Sequence, residues 1–304
     1  MERPHDTPPG LVSLGRGALG VAPMGWGMWR FTGLPIEAAH AIVDAALEAG
    51  CTLFDTADIY GLGTEGGFGA AEALFGRVLS ERPGLRDRII LASKAGIQPP
   101  VPYDSSAAYL IGACEASLKR LGIEQLDLLQ VHRPDLLAHP AEVAAAFDML
   151  HRQGKVRAAG VSNYTATQVR ALQAHMTLPL ASLQPEFSAL RTEPLEDGVL
   201  DLAMERGLGV LAWSPLAGGR LAGPPADERA ARVVAVLDEF AADRAVSRAA
   251  IACAWVMAHP SRPVPLIGAQ SPAHVRDVAR ATGVLLSRQE WYRVLEAERG
   301  ARMP

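Results

Sequence analysis

A couplet recurs along this chain from residue 36 onward: a stretch with apolar positions three and four apart, then a short apolar run. IEAAHAIVDAALEAG, which stops at Gly50, leads to CTLFDTAD. AAEALFGRVL leads to RIILASKAG, SSAAYLIGACEASLKRLG to LDLLQVH, and PAEVAAAFDMLHRQGK to VRAAGVSN. TATQVRALQAH then precedes LASLQPE, LEDGVLDLAMERG precedes GVLAWSP, and ERAARVVAVLDEF with AIACAWVMAH precedes VPLIGAQ. Runs such as LDLLQV, apolar on consecutive positions, read as parallel strands covered on both faces, and each crossover is long enough for a helix. Counting a strand that starts near Leu19, there are about eight, with no Pro/Gly-rich linker between them. One closed (β/α)8 barrel over residues 1–304 is the economical reading, with 1–9 expected as a flexible N-terminus.

A doubly wound sheet is the rival, because GRGALG, Gly15 to Gly20, has the GxGxxG spacing after LVSL. The segment that follows, VAPMGWGMW, puts Pro23 and two glycines where a phosphate-binding helix would begin. GRGALG therefore reads as the turn of an N-terminal β-hairpin feeding the first barrel strand.

Composition narrows the partners. With 29 basic and 33 acidic side chains and no Lys/Arg cluster, the surface is not built to neutralise a phosphate backbone, so no nucleic-acid partner is expected. MERPHDTPPG is polar and Pro-rich, and no stretch nears ~18 uninterrupted apolar residues, so the expectation is a cytoplasmic protein with no membrane span. Cys51, Cys114 and Cys253 are scattered without CxxC spacing and read as reduced, buried small hydrophobes rather than metal ligands or a catalytic thiol.

In a parallel barrel the chemistry sits where strands end, so polar residues closing an apolar run carry information. The second strand closes with Asp55 and Tyr60 just after it, the third with Ser93 and Lys94, the fourth with His132. The fifth closes with Ser162 and Asn163, the sixth with Gln184, the seventh with Trp213 and Ser214. There is no HExxH, carboxylates do not gather at these ends, and GVSNY lacks the second glycine of GxSxG. No metal site and no serine nucleophile is expected. Asp55, Tyr60, Lys94 and His132 together can form a proton-donating unit. Burial raises a tyrosine pKa, an adjacent ammonium lowers it, and an Asp partner keeps a buried lysine charged. Taken singly, each would read as a solvated strand end, a satisfied core histidine or a packed tyrosine; their joint placement at successive strand ends argues otherwise.

These residues resemble the aldo-keto reductase superfamily, in FDTADIYG, LASKAG, LLQVHRPD, GKVRAAGVSNY, QPEFS and WSPLAGGRL, in that order and over nearly the whole chain. The resemblance implies a TIM barrel with a C-terminal extra helix, SRQEWYRVL, and an NADP-dependent reductase that converts aldehydes or ketones to alcohols, with Asp55, Tyr60, Lys94 and His132 as catalytic tetrad. It implies that Ser162, Asn163 and Gln184 bind the nicotinamide carboxamide and that the ring stacks on Trp213, an ordinary core aromatic being the alternative. It implies pyrophosphate contacts from Ser214, Leu216 and Gly218. In PLIGAQSPAHVRDVAR, Gln270 stands where the family has a Lys, while Ser271 and Arg276 match the residues around the adenosine 2′-phosphate and Arg280 lies one helical turn on. The alternative for Arg276 is an exposed arginine in the first turn of a surface helix. NADP(H) is the cofactor expected.

Two departures matter. The loop GLGTEGGFGAAEALFG is longer and richer in glycine than the family's, with Glu72 taken as the residue that opens the next helix. The chain also stops soon after SRQEWYRVL, without the long closing loop of many members, so an open pocket is expected, with Trp29 as its wall or as core packing. A reading of a different class is an NADP(H)-binding regulatory or redox-sensor protein of weak turnover; such a protein has no chemical need for Tyr60 and Lys94 together.

Overall fold

Two antiparallel strands, β1 (Val12–Leu14) and β2 (Leu19–Val21), pair Val12 with Val21 and Leu14 with Leu19 in a computed structural model that describes residues 10–16 and 18–304. The expectation for residues 1–9 lies outside the described residues, as does Gly17 within the hairpin turn. The run near Leu19 is thus a hairpin strand, and the barrel begins only at β3 (Gly25–Gly27). Pro23 explains the break, because it offers no N–H to a ladder. Gly25 is needed in β3, since a Cβ there would stand 2.8 Å from Leu266 Cδ2. Val12, Leu14, Leu19 and Val21 pack on Leu53, Leu128, Ala158 and Leu211 inside the barrel, so the hairpin plugs its N-terminal end.

Eight parallel strands close the (β/α)8 barrel. After β3 come β4 (Leu53–Asp55), β5 (Ile90–Ala95), β6 (Leu126–Val131), β7 (Val156–Ser162), β8 (Leu180–Gln184), β9 (Gly209–Ala212) and β10 (Val264–Ile267), which returns to β3. The helices outside are α1 (Ile36–Glu48), α2 (Ala70–Glu81), α3 (Ala107–Leu121), α4 (Pro140–Arg152), α5 (Ala166–Gln173) and α6 (Val199–Arg206). Both α7 (Glu228–Arg244) and α8 (Arg248–Met257) lie between β9 and β10. They are followed by α9 (Pro272–Ala279) and the extra C-terminal helix α10 (Arg288–Arg299).

Local signals set the helix ends. Ser106, Thr165, Asp227, Ser247, Ser271 and Ser287 each accept a backbone N–H at a helix start. The periodic stretch from Leu195 becomes helical only at Val199, because Gly198, at φ 83°, separates it from a 3-10 turn at Glu193–Leu195. α10 is held to α8 by Trp255 and Trp291, stacked at 4.9 Å, each indole N–H donating to the other's backbone carbonyl at 3.0 Å. Cys51, Cys114 and Cys253 are free and buried.

Candidate active site

Because the strands are parallel, the polar residues that close them lie at one end of the barrel. Asp55 ends β4, Lys94 stands one residue before the end of β5, and His132 directly follows β6. Lys94, fully buried, spends three donors: on Asp55 Oδ2 at 2.5 Å, Thr56 O at 2.8 Å and Tyr60 OH at 3.0 Å. Tyr60 reaches this point because the chain after β4 still follows β5, Thr56 N bonding Ala92 O and Asp58 N bonding Lys94 O, before it turns. The turn needs Gly61, at φ 112°; a Cβ there would stand 2.4 Å from Gly67 O. The long glycine-rich loop is a chain of tight turns, and Ala71 N returns to Tyr60 O at 3.2 Å.

The electrostatics follow from burial. Burial pushes the Tyr60 hydroxyl above the ordinary tyrosine value; the Lys94 charge pulls it down and Asp55 pushes it up, leaving it raised. Burial favours the neutral amine of Lys94, yet Asp55 and Tyr60 outweigh it and keep the ammonium. His132 lies edge-on to Tyr60, ring centroids 5.8 Å apart. Its burial, then the charges of Lys94 and Arg133, hold it well below the usual histidine range, so the imidazole is neutral at neutral pH. Trp29 also meets Tyr60 edge-on, at 5.1 Å, and is 63% exposed. It is no core residue and lies exposed beside the tyrosine.

The second oxygen of Asp55 faces the other way. Oδ1 accepts from Gln130 Nε2 at 3.2 Å and Gln184 Nε2 at 3.1 Å. Ser162 Oγ donates to Gln184 O, and Asn163 Nδ2 donates to His132 O and Ser162 Oγ. Asn163 Oδ1 accepts from Trp213 Nε1 at 3.0 Å, which fixes the half-buried indole. Left-handed backbone clusters here, at Asn163, Ser214, Ala217, Gly218 and Gly219. Gly218 N–H is taken by Ser214 Oγ, whereas Leu216 N–H makes no hydrogen bond within the described residues.

The segment after β10 makes its own hydrogen bonds, none of them to this cluster among the described residues. Gln270 Nε2 donates to Arg30 O, and Ser271 caps α9. Arg276 is exposed and paired with Glu48 of α1, and Arg280 donates to Ala245 O at the end of α7.

Several residues here escape a reading by strand ends. Gln130 sits inside an apolar run, and Glu48 lies far from Arg276 in sequence. Arg133, whose guanidinium carbon lies 5.6 Å from the Trp213 ring centroid, follows His132 directly and could have been found at that strand end. Glu72, in the first turn of α2 as anticipated, is buried between Arg120 Nε at 2.7 Å and Ser93 Oγ at 2.5 Å. Among the described residues no group of three or more His, Cys, Asp and Glu could hold a metal ion, and no helix is long and apolar enough to cross a membrane.

A buried tyrosine, lysine, aspartate and histidine thus gather at the C-terminal ends of the strands of a closed parallel barrel, the end at which such barrels carry their chemistry. The chain belongs to the aldo/keto reductase family, whose model matches residues 23–299. It is 50% identical over 300 residues to the 6-dehydroglucose reductase of Novosphingobium aromaticivorans, covering 98% of each chain. It is 36% identical to the 6-dehydroglucose reductase of Agrobacterium fabrum over 88% of this chain and 91% of that one. The crystal structure of a thermostable aldo-keto reductase with the inhibitor epalrestat superposes with a TM-score of 0.82 at 25% identity, over 94% of this chain and 99% of that one. The protein is a carbonyl-reducing oxidoreductase of a family whose members use nicotinamide cofactors.

Proposed function

We propose that the protein reduces a sugar aldehyde of the 6-dehydroglucose type to the alcohol, with NADPH as hydride source and Tyr60 as proton donor. The observation that carries this reading is the buried Lys94 ammonium joining Asp55 to the Tyr60 hydroxyl. The two relatives named for 6-dehydroglucose supply the substrate class.

The residues present fit a nicotinamide. Both amide hydrogens of Gln184 are spent on Asp55 Oδ1 and Gln130 Oε1, and those of Asn163 on His132 O and Ser162 Oγ. What remains is acceptor capacity on the two side-chain carbonyls, suited to the NH₂ of a carboxamide. Trp213 offers a ring for stacking, and the unpartnered Leu216 N–H among left-handed residues suits a phosphate oxygen. Ser162, Asn163, Gln184, Trp213 and Leu216 would hold the cofactor, with Arg276 near its 2′-phosphate. When bound, it supplies a hydride to the carbonyl carbon.

The chain supplies the rest. Tyr60 passes its hydroxyl proton to the carbonyl oxygen as negative charge develops there, and Lys94 stabilises the phenolate left behind. Asp55 keeps Lys94 charged. Neutral His132 donates an N–H to the same oxygen and so orients the carbonyl. Exposed Trp29, beside Tyr60, forms the near wall of an open mouth that admits a hydroxylated substrate. The test is loss of NADPH absorbance with 6-dehydroglucose against a panel of simple aldehydes and ketones. Turnover highest with the sugar aldehyde is expected; NADPH binding without turnover on any carbonyl would instead favour the regulatory reading.

A further inference from the structure

β6 carries one amide in its otherwise apolar upper half, Gln130, and it is fully buried inside the barrel. Strand register aligns Lys94 with Gln130, Gln130 with Gly160, and Gly160 with Ser182, across four consecutive strands. Gly160 leaves a gap in that row: a Cβ there would stand 2.1 Å from Ser182 Oγ and 3.1 Å from Gln130 Cγ. Through the gap Gln130 Oε1 accepts from Ser182 Oγ and from Gln184 Nε2, each at 3.3 Å, while its Nε2 donates to Asp55 Oδ1 at 3.2 Å.

These contacts have a direction. An ionised carboxylate only accepts, so the NH₂ of Gln130 must face Asp55 and its carbonyl must face β8. That carbonyl in turn requires the NH₂ end of Gln184, because a flipped Gln184 would set oxygen against both Asp55 Oδ1 and Gln130 Oε1. The carbonyl of Gln184 is thereby the end left for another ligand.

We infer that Gln130 is a positioning residue for carbonyl reduction: it holds the Asp55 carboxylate toward Lys94 and fixes the Gln184 amide with its oxygen toward the cofactor. This rests on the roles proposed above for Tyr60 and Gln184. Gln130, fully buried, bonds only Asp55, Ser182 and Gln184 through its side chain among the described residues, so it acts through the side chains to which the proton and cofactor roles are assigned above.

The experiment compares wild type, Gln130→Leu and Gln130→Glu in carbonyl reduction with NADPH across pH. Gln130→Leu keeps the volume and loses the amide, and kcat is expected to fall about ten-fold or more with substrate KM little changed, the loss expected when a hydrogen bond to a buried charge is removed. Gln130→Glu discriminates further. Protonated, its O–H can donate to Asp55 Oδ1 while its carbonyl accepts from Ser182 and Gln184; ionised, it sets oxygen against Asp55. Its kcat should approach wild type at acid pH and fall toward that of Gln130→Leu as pH rises through the new carboxyl's titration, a limb additional to the alkaline one set by Tyr60 in the wild type. A Gln130→Leu enzyme with wild-type kcat, or a Gln130→Glu enzyme that follows the wild-type pH profile, overturns the inference. Should Gln130→Leu fail to fold, the Gln130→Glu profile decides. Wild type without turnover overturns the proposed function and this inference together; active wild type with indifferent Gln130 variants overturns this inference only.

Discussion

Arg276 on α9 donates through Nε and Nη2 to one carboxylate oxygen of Glu48 on α1, at 3.2 and 2.8 Å. The guanidinium matched to the 2′-phosphate therefore has an anionic partner of its own. Both side chains are more than half exposed, and such pairs are worth about 0–1 kcal/mol, so a phosphate can displace the carboxylate at small cost. Arg276→Ala should weaken NADPH binding about ten-fold and leave NADH nearly unchanged, since a charge-assisted contact of roughly 1.5–3 kcal/mol is lost. Glu48→Gln should tighten NADPH up to about five-fold by freeing the guanidinium. Fluorescence titration with both cofactors checks this. Equal loss for NADPH and NADH, or a wild-type preference for NADH, would take the phosphate away from Arg276.

Tyr60→Phe removes the hydroxyl bonded to Lys94 and leaves the ring against Trp29 and His132. The residues proposed to hold the cofactor, on and just after β7, β8 and β9, are untouched, so NADPH affinity should hold while kcat drops about 100-fold or more, the usual contribution of general acid catalysis. Retained turnover would remove Tyr60 from the proposed mechanism.

Lys94→Met tests the coupling behind that proton. In the wild type burial raises the Tyr60 pKa and the ammonium partly offsets it. A general acid must be protonated, so activity falls as pH rises through the tyrosine pKa. Without Lys94 that fall should move to higher pH, on an enzyme already slow because the phenolate has lost its stabilising charge. His132, held neutral by burial first and then by the charges of Lys94 and Arg133, should add no limb between pH 5 and 8 in the wild type. Matching alkaline limbs in wild type and variant would separate Lys94 from Tyr60.

The alternation of helical period and apolar run was legible because most barrel strands are covered on both faces and so read as consecutive apolar residues. The strand-end residues stood out for the same reason: polarity at Asp55, Lys94 and His132 interrupts that pattern. Gln130 did not stand out, because one polar residue inside LDLLQV has meaning only once Gly160 on the next strand opens a path to Ser182. The first barrel strand is hard to place because β3 is three residues of Gly-Trp-Gly, too short for periodicity, while the hairpin strand just before it offers the nearest run with apolar residues at strand spacing. The pairing of Arg276 with Glu48 depends on how α9 docks against α1, which no local pattern encodes.

Asp58 yields a prediction about stability. It is fully buried, two residues before Tyr60; Oδ2 accepts from Tyr109 OH at 3.3 Å and Oδ1 has no partner among the described residues. Burial first, then the negative charge of Glu72, push its carboxyl up from 3.8 to about 7, against the pull of Arg120 and the Tyr109 hydrogen bond. Between those values the folded state holds a proton that the unfolded chain has released. Stability contributed by this group therefore declines as pH rises from about 3.8 to about 7, by about 1.4 kcal/mol per unit at most, and stays low above that window. Asp58→Asn keeps an oxygen for Tyr109 and carries no charge to bury, so the variant should melt higher than wild type at pH 8, with the difference shrinking toward pH 4. Thermal melts of both proteins across that range measure it. A variant less stable than wild type at pH 8 would mean that the Asp58 carboxylate has a compensating partner when ionised.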